Sequence, residues 1–415
     1  MDNLTHTLTG MMIAEGLCAA RKSGQSAFRS AAFAASAIAN NIPDIDPIYT
    51  SITRPRPLGS LLHHRGHTHT LPVAWLLGAI VAVSVITWLE RRHAAFTRRE
   101  RALIFGLGLF GATLHIAMDF GNNYGVHPFW PIDSRWFYGD SIFIIEPFWL
   151  VIALPVLASV LYTRWFAWLL WALMGSVFVL AVSLPFVTSG TVIGLALVGG
   201  AMIAVSRLTS ERARIAVAWG AYLAVAACFV STATLARARV HEAAASDLPA
   251  LQIADVALSP MPGNPLCWTA LVVGREADQY RVLNANVAPL PSVSDAAACP
   301  YDAGSTPTAQ VVPTPTGDRA SLRWHWSYSA DLESLRALAQ RDCRFRAWLG
   351  FARVPAVSEV ILTAGSGQKQ QVASELRYDR APTLDFADML LDGQTTCPTW
   401  LPPWLPPRAD LLGTH

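Results

Sequence analysis

Charge is what this 415-residue sequence has least of. Asp, Glu, Lys and Arg together make up 14% of it, against roughly 25% in a soluble protein. The formal net charge is only +2, so a nucleic-acid partner is not expected. A cleavable leader is not expected either. Residues 1–20 carry no basic n-region, and no small-residue cleavage site follows an apolar core. Cysteine is scarce and unevenly placed. Cys18 and Cys228 lie in apolar segments, while Cys267, Cys299, Cys343 and Cys397 all fall in the C-terminal part. An even set in a soluble part suggests two disulfides in an oxidising compartment, with three pairings open.

Apolar residues fill the space that charge leaves. They make up 53% of the chain, mean hydropathy is +0.34, and nearly all the excess precedes residue 236. The expected fold is an all-α polytopic membrane helix bundle with an appended C-terminal α+β soluble domain. Its expected divisions are residues 1–145, holding a short N-terminal helix pair, two ligand loops and two spans; 146–236, further transmembrane helices; and 237–415, the extracytoplasmic domain.

Leu4–Ala20 and Ala27–Asn40 read as the helix pair, packed on the bundle through small residues. Six spans follow. Leu71–Leu89, Ala102–Met118 and Phe148–Thr163 are three, Trp165–Leu208 supplies two around a turn at Thr188-Ser189-Gly190, and Ile215–Ala236 is the last. Arg91, Arg92, Arg98, Arg99 and Arg101 form the strongest basic cluster and are assigned to the cytoplasm. Counting spans from there puts the ligand loops and the C-terminal domain outside, where the four cysteines can oxidise. In that domain Trp268–Gly274 pairs with Gln279–Val287. Ser321–Ser327 alternates, Asp331–Arg341 is an amphipathic helix, and a hairpin turns around Gly365-Ser366-Gly367. Ala296–Gly317 reads as a loop, and the Pro/Trp-rich tail Pro398–Pro407 as lying on the domain or on lipid.

The residues with chemistry concentrate between Asn40 and Thr70. Asp44 and Asp46 sit among prolines, which favours extended backbone and turns both carboxylates the same way. Pro55, Pro57 and Gly59 argue against regular structure in the middle of the loop. His63, His64, His67 and His69 follow, just before a span. His115 and Asp119 are four apart, so they share one helical face. A lone histidine in an apolar helix, such as His6, is more often a structural hydrogen-bonder. Charged groups in spanning helices are costly and mark function. Glu15 is out of phase with His6 and is assigned to helix packing. His63, His67 and His127 read as supernumerary imidazoles, and His241, His325 and His415 as surface residues without partners at ligand spacing. Arg65 and Arg135 are placed to hold a phosphate, though Arg65 can equally be a structural clamp.

These motifs resemble the YdjM-type membrane-bound metal-dependent hydrolases. They are His6, Pro43-Asp44-Ile45-Asp46, His64-Arg65-Gly66-His67-Thr68-His69-Thr70 and His115-Ile116-Ala117-Met118-Asp119, followed by Gly125-Val126 and Pro131. The resemblance covers residues 1–150, with Thr70 replacing the more usual Ser. It implies metal ligation by His6, Asp44, Asp46, His64, His69, His115 and Asp119. A weaker likeness is to zinc-dependent phospholipases C and P1-type nucleases.

The expected cofactor is one to three divalent transition ions, zinc first, with manganese or iron admitted by the same donors. Asp44, Asp46 and Arg65 are the expected catalytic groups. The expected partners are the lipid bilayer and an amphiphilic or phosphorylated small molecule, met at the outer face of the inner membrane. The rival readings are a metal-binding transporter and a non-catalytic scaffold with a structural metal. The transporter would distribute His and acidic residues through several spans, whereas Phe148–Ala236 holds almost none.

Overall fold

The computed structural model describes the chain except residues 22–25, 55, 93–94, 161–162, 302–306, 308, 315–318, 361–368, 380–385, 392–395 and 414–415. The turn expected at Gly365-Ser366-Gly367, and His415, lie outside the described residues.

The membrane part is helical: α1 (Asn3–Arg21), α2 (Ser26–Ala39), α3 (Arg56–His63), α4 (Leu71–Glu90), α5 (Arg98–Phe120), α6 (Pro147–Val160), α7 (Arg164–Ser183), α8 (Ser189–Leu208) and α9 (Glu211–Asp247). Among the described residues α4, α5, α7, α8 and α9 are long and apolar enough to cross a bilayer. Twenty residues reach about 30 Å, the thickness of the hydrocarbon layer. Helices α4 and α5 lie backbone against backbone. A Cβ on Gly78 would strike the Gly108 carbonyl, and one on Gly108 would strike that of Gly78. Small residues are needed there because lipid supplies no hydrophobic drive, and close packing must hold the pair.

Phe148–Thr163, expected to span, is a short helix that crosses inside the bundle: Glu146 at its head accepts from the Gly263 N–H, and Ser159 at its tail accepts from Arg214 at the opposite end. Helix α6 has 14 residues, about 21 Å, and Trp149 to Ala158 are all buried. Its apolar surface faces protein on every side, wrapped by α1, α7, α8 and α9. A helix that is apolar all round can face either lipid or protein, so hydropathy does not distinguish them. The turn expected at residues 188–190 lies slightly earlier, between Ser183 and Ser189, with Thr188 Oγ1 capping the Thr191 N–H at 3.3 Å. One expectation for the ligand loop fails. Residues 56–63 form helix α3 despite Pro57 and Gly59. Proline is compatible with a first helical turn, and Gly59 packs against the carbonyls of Thr50 and Thr53 where a Cβ has no room.

The two ends of the bundle differ. Arg98, Arg99 and Arg101 begin α5. Near them Arg21 pairs with Glu100 at 3.5 Å, and Arg212 donates to the Ala19 and Ala20 carbonyls at 3.1 and 3.0 Å. Glu15, on the same half of α1, is buried and paired with Arg29. His115 and Asp119 sit at the opposite end of α5, beneath the C-terminal domain.

Helix α9 runs unbroken past residue 236 to Asp247 and delivers the chain into that domain. An antiparallel sheet follows: β1 (Gln252–Met261), β2 (Asn264–Glu276), β3 (Gln279–Val287), β4 (Val312–Pro313) and β5 (Leu322–Asp331), ordered β1-β2-β3-β5-β4. After α10 (Leu332–Arg341) and α11 (Cys343–Trp348) comes a three-stranded sheet of β6 (Pro355–Val360), β7 (Gln370–Glu375) and β8 (Met389–Leu391). Two disulfides, Cys267–Cys299 and Cys343–Cys397, close this part.

The domain grips the 121–146 loop. Arg353, 3% exposed, reaches Asp140 at 2.7 and 2.8 Å and Asp255 at 2.8 and 3.0 Å. A buried cation is tolerated when its donors are satisfied this fully. Trp136 Nε1 donates to the Gly350 carbonyl at 2.9 Å. The tail lies neither on the domain alone nor on lipid. Trp404 Nε1 donates to the Leu62 carbonyl at 3.1 Å, and the Trp400 carbonyl accepts from Thr53 Oγ1 at 2.7 Å. The tail therefore straps the ligand loop.

Candidate metal centre

Residues Ile42–Ile48 form a 3₁₀ turn rather than extended backbone, with Pro43 in its first turn. The turn is kinked at Asp44, whose φ of −74° and ψ of 20° leave the helical region, and this splays the two acidic side chains. Asp44 and Asp46 therefore point to different partners. Asp44 Oδ1 stands 3.3 Å from His69 Nε2 and 3.5 Å from His115 Nε2. Asp46 Oδ2 accepts from the Arg65 N–H at 2.6 Å and lies 3.0 Å from His64 Nδ1.

His115 and Asp119 project from the last turns of α5, and His69 from the 3₁₀ turn His67–His69 before α4. The two imidazole Nε2 atoms are 3.1 Å apart. Asp119 Oδ2 lies 3.3 Å from His69 Nε2 and 3.5 Å from His115 Nε2. One ligand atom from each of Asp44, His69, His115 and Asp119 lies within 4.8 Å of every other. Four ligands ~2.1 Å from a tetrahedral ion stand ~3.4 Å from each other. Five of the six donor separations are 3.1–3.5 Å and fit that arrangement, and the Asp44–Asp119 pair lies within 4.8 Å.

The ring orientations are set from behind. His115 Nδ1 donates to the Asn40 carbonyl at 2.9 Å, leaving Nε2 as the lone-pair nitrogen. The Asn40 side chain in turn donates to the His6 carbonyl, which ties α1 to the turn. His69 Nδ1 contacts Thr68 Oγ1 at 3.2 Å, so its Nε2 also faces the cluster. Burial pushes the His69 imidazole down to about 3, against the opposing pull of Asp44. Burial works against ionisation of Asp44, but the two imidazoles beside it, His115 and His69, outweigh it and hold its carboxyl below the usual carboxylate range. The donors are thus neutral imidazoles and a charged carboxylate, the forms that bind a cation.

His6 stacks on His115 with ring centroids 3.9 Å apart, and its Nε2 lies 3.3 Å from Asp119 Oδ1. The Met1 amino group lies against that same oxygen. His64 and Asp46 stand one layer out from the four donors. Arg65 is fully enclosed: Nε is 3.0 Å from Asp119 Oδ2, Nη1 donates to Asn122 Oδ1 at 2.9 Å, and the guanidinium lies over the Tyr124 ring. Its φ of 54° is a left-handed conformation uncommon outside glycine. Of the two roles open to Arg65, these contacts are those of a clamp on Asp119.

Arg135, expected to hold a phosphate, is 65% exposed and pairs with Asp133. His63 bonds Thr53 and the tail at Trp400. His67 packs on Trp130 and Trp404. His127 stacks on Trp404 and lies 3.2 Å from the Arg65 carbonyl through Nδ1, and burial pushes its imidazole down to about 3. Asn40, Asn122 and Tyr124 escape sequence reasoning because no ligand-type spacing singles them out.

Neither a curated protein nor a solved structure matches the chain. Residues 1–189 do match the family model of the YdjM inner membrane protein, the family that their spaced motifs resemble.

Proposed function

We propose that this chain is a membrane-bound metal-dependent hydrolase acting on a phosphoester or other amphiphilic substrate, such as a phospholipid or polyprenyl phosphate. The reaction takes place at the outer face of the inner membrane. The observation that carries the reading is the buried convergence of Asp44, His69, His115 and Asp119 from three separate segments. Asp119 Oδ2, ion-paired with Arg65 Nε at 3.0 Å, also faces the Nε2 atoms of His69 and His115. A divalent cation among these donors satisfies groups that are otherwise costly to bury.

Bound there, a metal supplies Lewis acidity toward water and toward a phosphoryl or carbonyl oxygen. The chain's own residues do the rest. His69 and His115 hold their Nε2 lone pairs inward, and Arg65 holds Asp119 in place. His64, fixed through Nδ1 by Asp46 and 34% exposed, is the group positioned to carry a proton between the site and water. Asp46 acts through His64 and the Arg65 backbone, and His6 supports Asp119 or extends the site to a second ion.

The full-length protein should purify with zinc or a similar ion and hydrolyse bis(p-nitrophenyl) phosphate or a short-chain phospholipid. His115→Ala should lose the ion and the hydrolysis with unchanged helix content. Full hydrolysis by metal-stripped protein would end the reading.

A further inference from the structure

The four-residue cluster is almost sealed. His69, His115 and Asp119 have no exposed surface, and the Asp44 side chain, at 14%, is the one with access. That access opens into a shallow, largely open groove of about 460 Å³ lined by Thr7, Ala37, Ile38, Asn41, Ile42, Asp44 and Ile45. Five of those seven residues are apolar or present a methyl group. Ile38, on its wall, is 47% exposed, and Ile48 at 76% and Ile52 at 49% are exposed in the turns that follow residues 41–45.

Position along the bundle says what meets this surface. Asn40 bonds His115, which lies five residues before the end of α5, about 7 Å along the helix axis. Helix α5 is one of the spanning helices. The groove, whose Asp44 faces His115, therefore sits near the level where the hydrocarbon layer gives way to headgroups. Exposed isoleucines at this depth are stable against acyl chains and costly against water.

We infer that the groove between α1, α2 and the 41–45 turn seats one acyl chain of a bilayer phospholipid, entering sideways from the membrane with its headgroup at the groove mouth. Thr7 and Asn41, at the groove wall and already bonded to each other at 3.0 Å, supply its polar contacts. The chain's role as substrate anchor rests on the hydrolase reading; its binding does not.

The full chain can be reconstituted in vesicles of phosphatidylethanolamine and phosphatidylglycerol containing a trace of phosphatidylglycerol with a mid-chain diazirine. Photolabelling of residues 37–45 should exceed that of Val179 and Val182, exposed residues near the end of α7, at least threefold. Ala37→Phe, which fills the groove, should bring labelling down to the α7 level. Ile45→Asn, which leaves the volume open but makes it polar, should lower it in part. Labelling of 37–45 no greater than that of α7, or unchanged by both substitutions, would overturn the inference. His115→Ala should leave the labelling intact. Labelling without hydrolysis by any form of the protein would sink the hydrolase reading and spare the groove; hydrolysis with labelling at the α7 level would do the reverse.

Discussion

His69 Nε2 and His115 Nε2 face each other at 3.1 Å, from residues 46 apart in the chain. With the Nδ1–H of His115 given to the Asn40 carbonyl, its Nε2 has no proton to offer while the ring is neutral. Two carboxylate oxygens share the same small, buried volume. The lone pairs that these groups turn inward repel each other, and a cation turns that repulsion into attraction. The pair thus defines where an ion belongs more sharply than any single ligand does.

Removing ligands should separate the inner donors from their supports. Asp119→Asn and His69→Ala should abolish stoichiometric metal in the purified protein. Asp46→Asn should weaken metal binding by about 10–100-fold, the usual range for a residue behind a ligand. Metal content after dialysis against graded chelator reads both. An Asp46→Asn protein as metal-free as Asp119→Asn would make Asp46 a ligand in its own right.

Glu146 should make stability depend on pH. Its side chain accepts from the Phe148 and Gly263 N–H groups, at the junction between α6 and the β1–β2 turn. Burial pushes its carboxyl up from 4.5 to about 8. The folded state therefore holds a proton that the unfolded state releases between those values. The stability this contributes is fully present below 4.5 and is lost as pH rises towards 8. Thermal midpoints should fall across that window in the wild type and fall less in Glu146→Gln. Parallel profiles would show that Glu146 does not titrate there.

The strap across the ligand loop should depend on Cys343–Cys397, which anchors the chain just before Trp400 and Trp404. Closing a loop of 54 residues is worth about 4 kcal/mol in the unfolded-chain model. Cys343→Ser should lower the thermal midpoint and make the 398–407 segment more sensitive to protease. An unchanged cleavage rate would mean that the hydrogen bonds at Leu62 and Thr53 hold the strap unaided.

Orientation can be read by labelling intact cells with an impermeant maleimide, in a Cys228→Ser background. Ala95→Cys, in the turn beside the arginine cluster, should stay unlabelled, whereas Val293→Cys, in the C-terminal domain, should react. The opposite result would turn the protein over and place the site in the cytoplasm.

Much of this protein is written in composition and spacing. Long uncharged runs determine α4, α5, α7 and α8, because only a helix satisfies its own backbone in lipid. The i, i+4 spacing of His115 and Asp119 determines that they share a face. Four cysteines in the soluble part announce two disulfides, though the choice of Cys267–Cys299 and Cys343–Cys397 waited on the fold. Tertiary structure decided what such patterns leave degenerate. Hydropathy reads the same for α6 wrapped in protein as for a helix in lipid. The 3₁₀ turn sends Asp44 to the histidines and Asp46 to Arg65, a division set by backbone winding rather than by residue type. The strap of Trp400 and Trp404 over a loop more than 300 residues earlier is a long-range contact, and no local pattern in the chain encodes it.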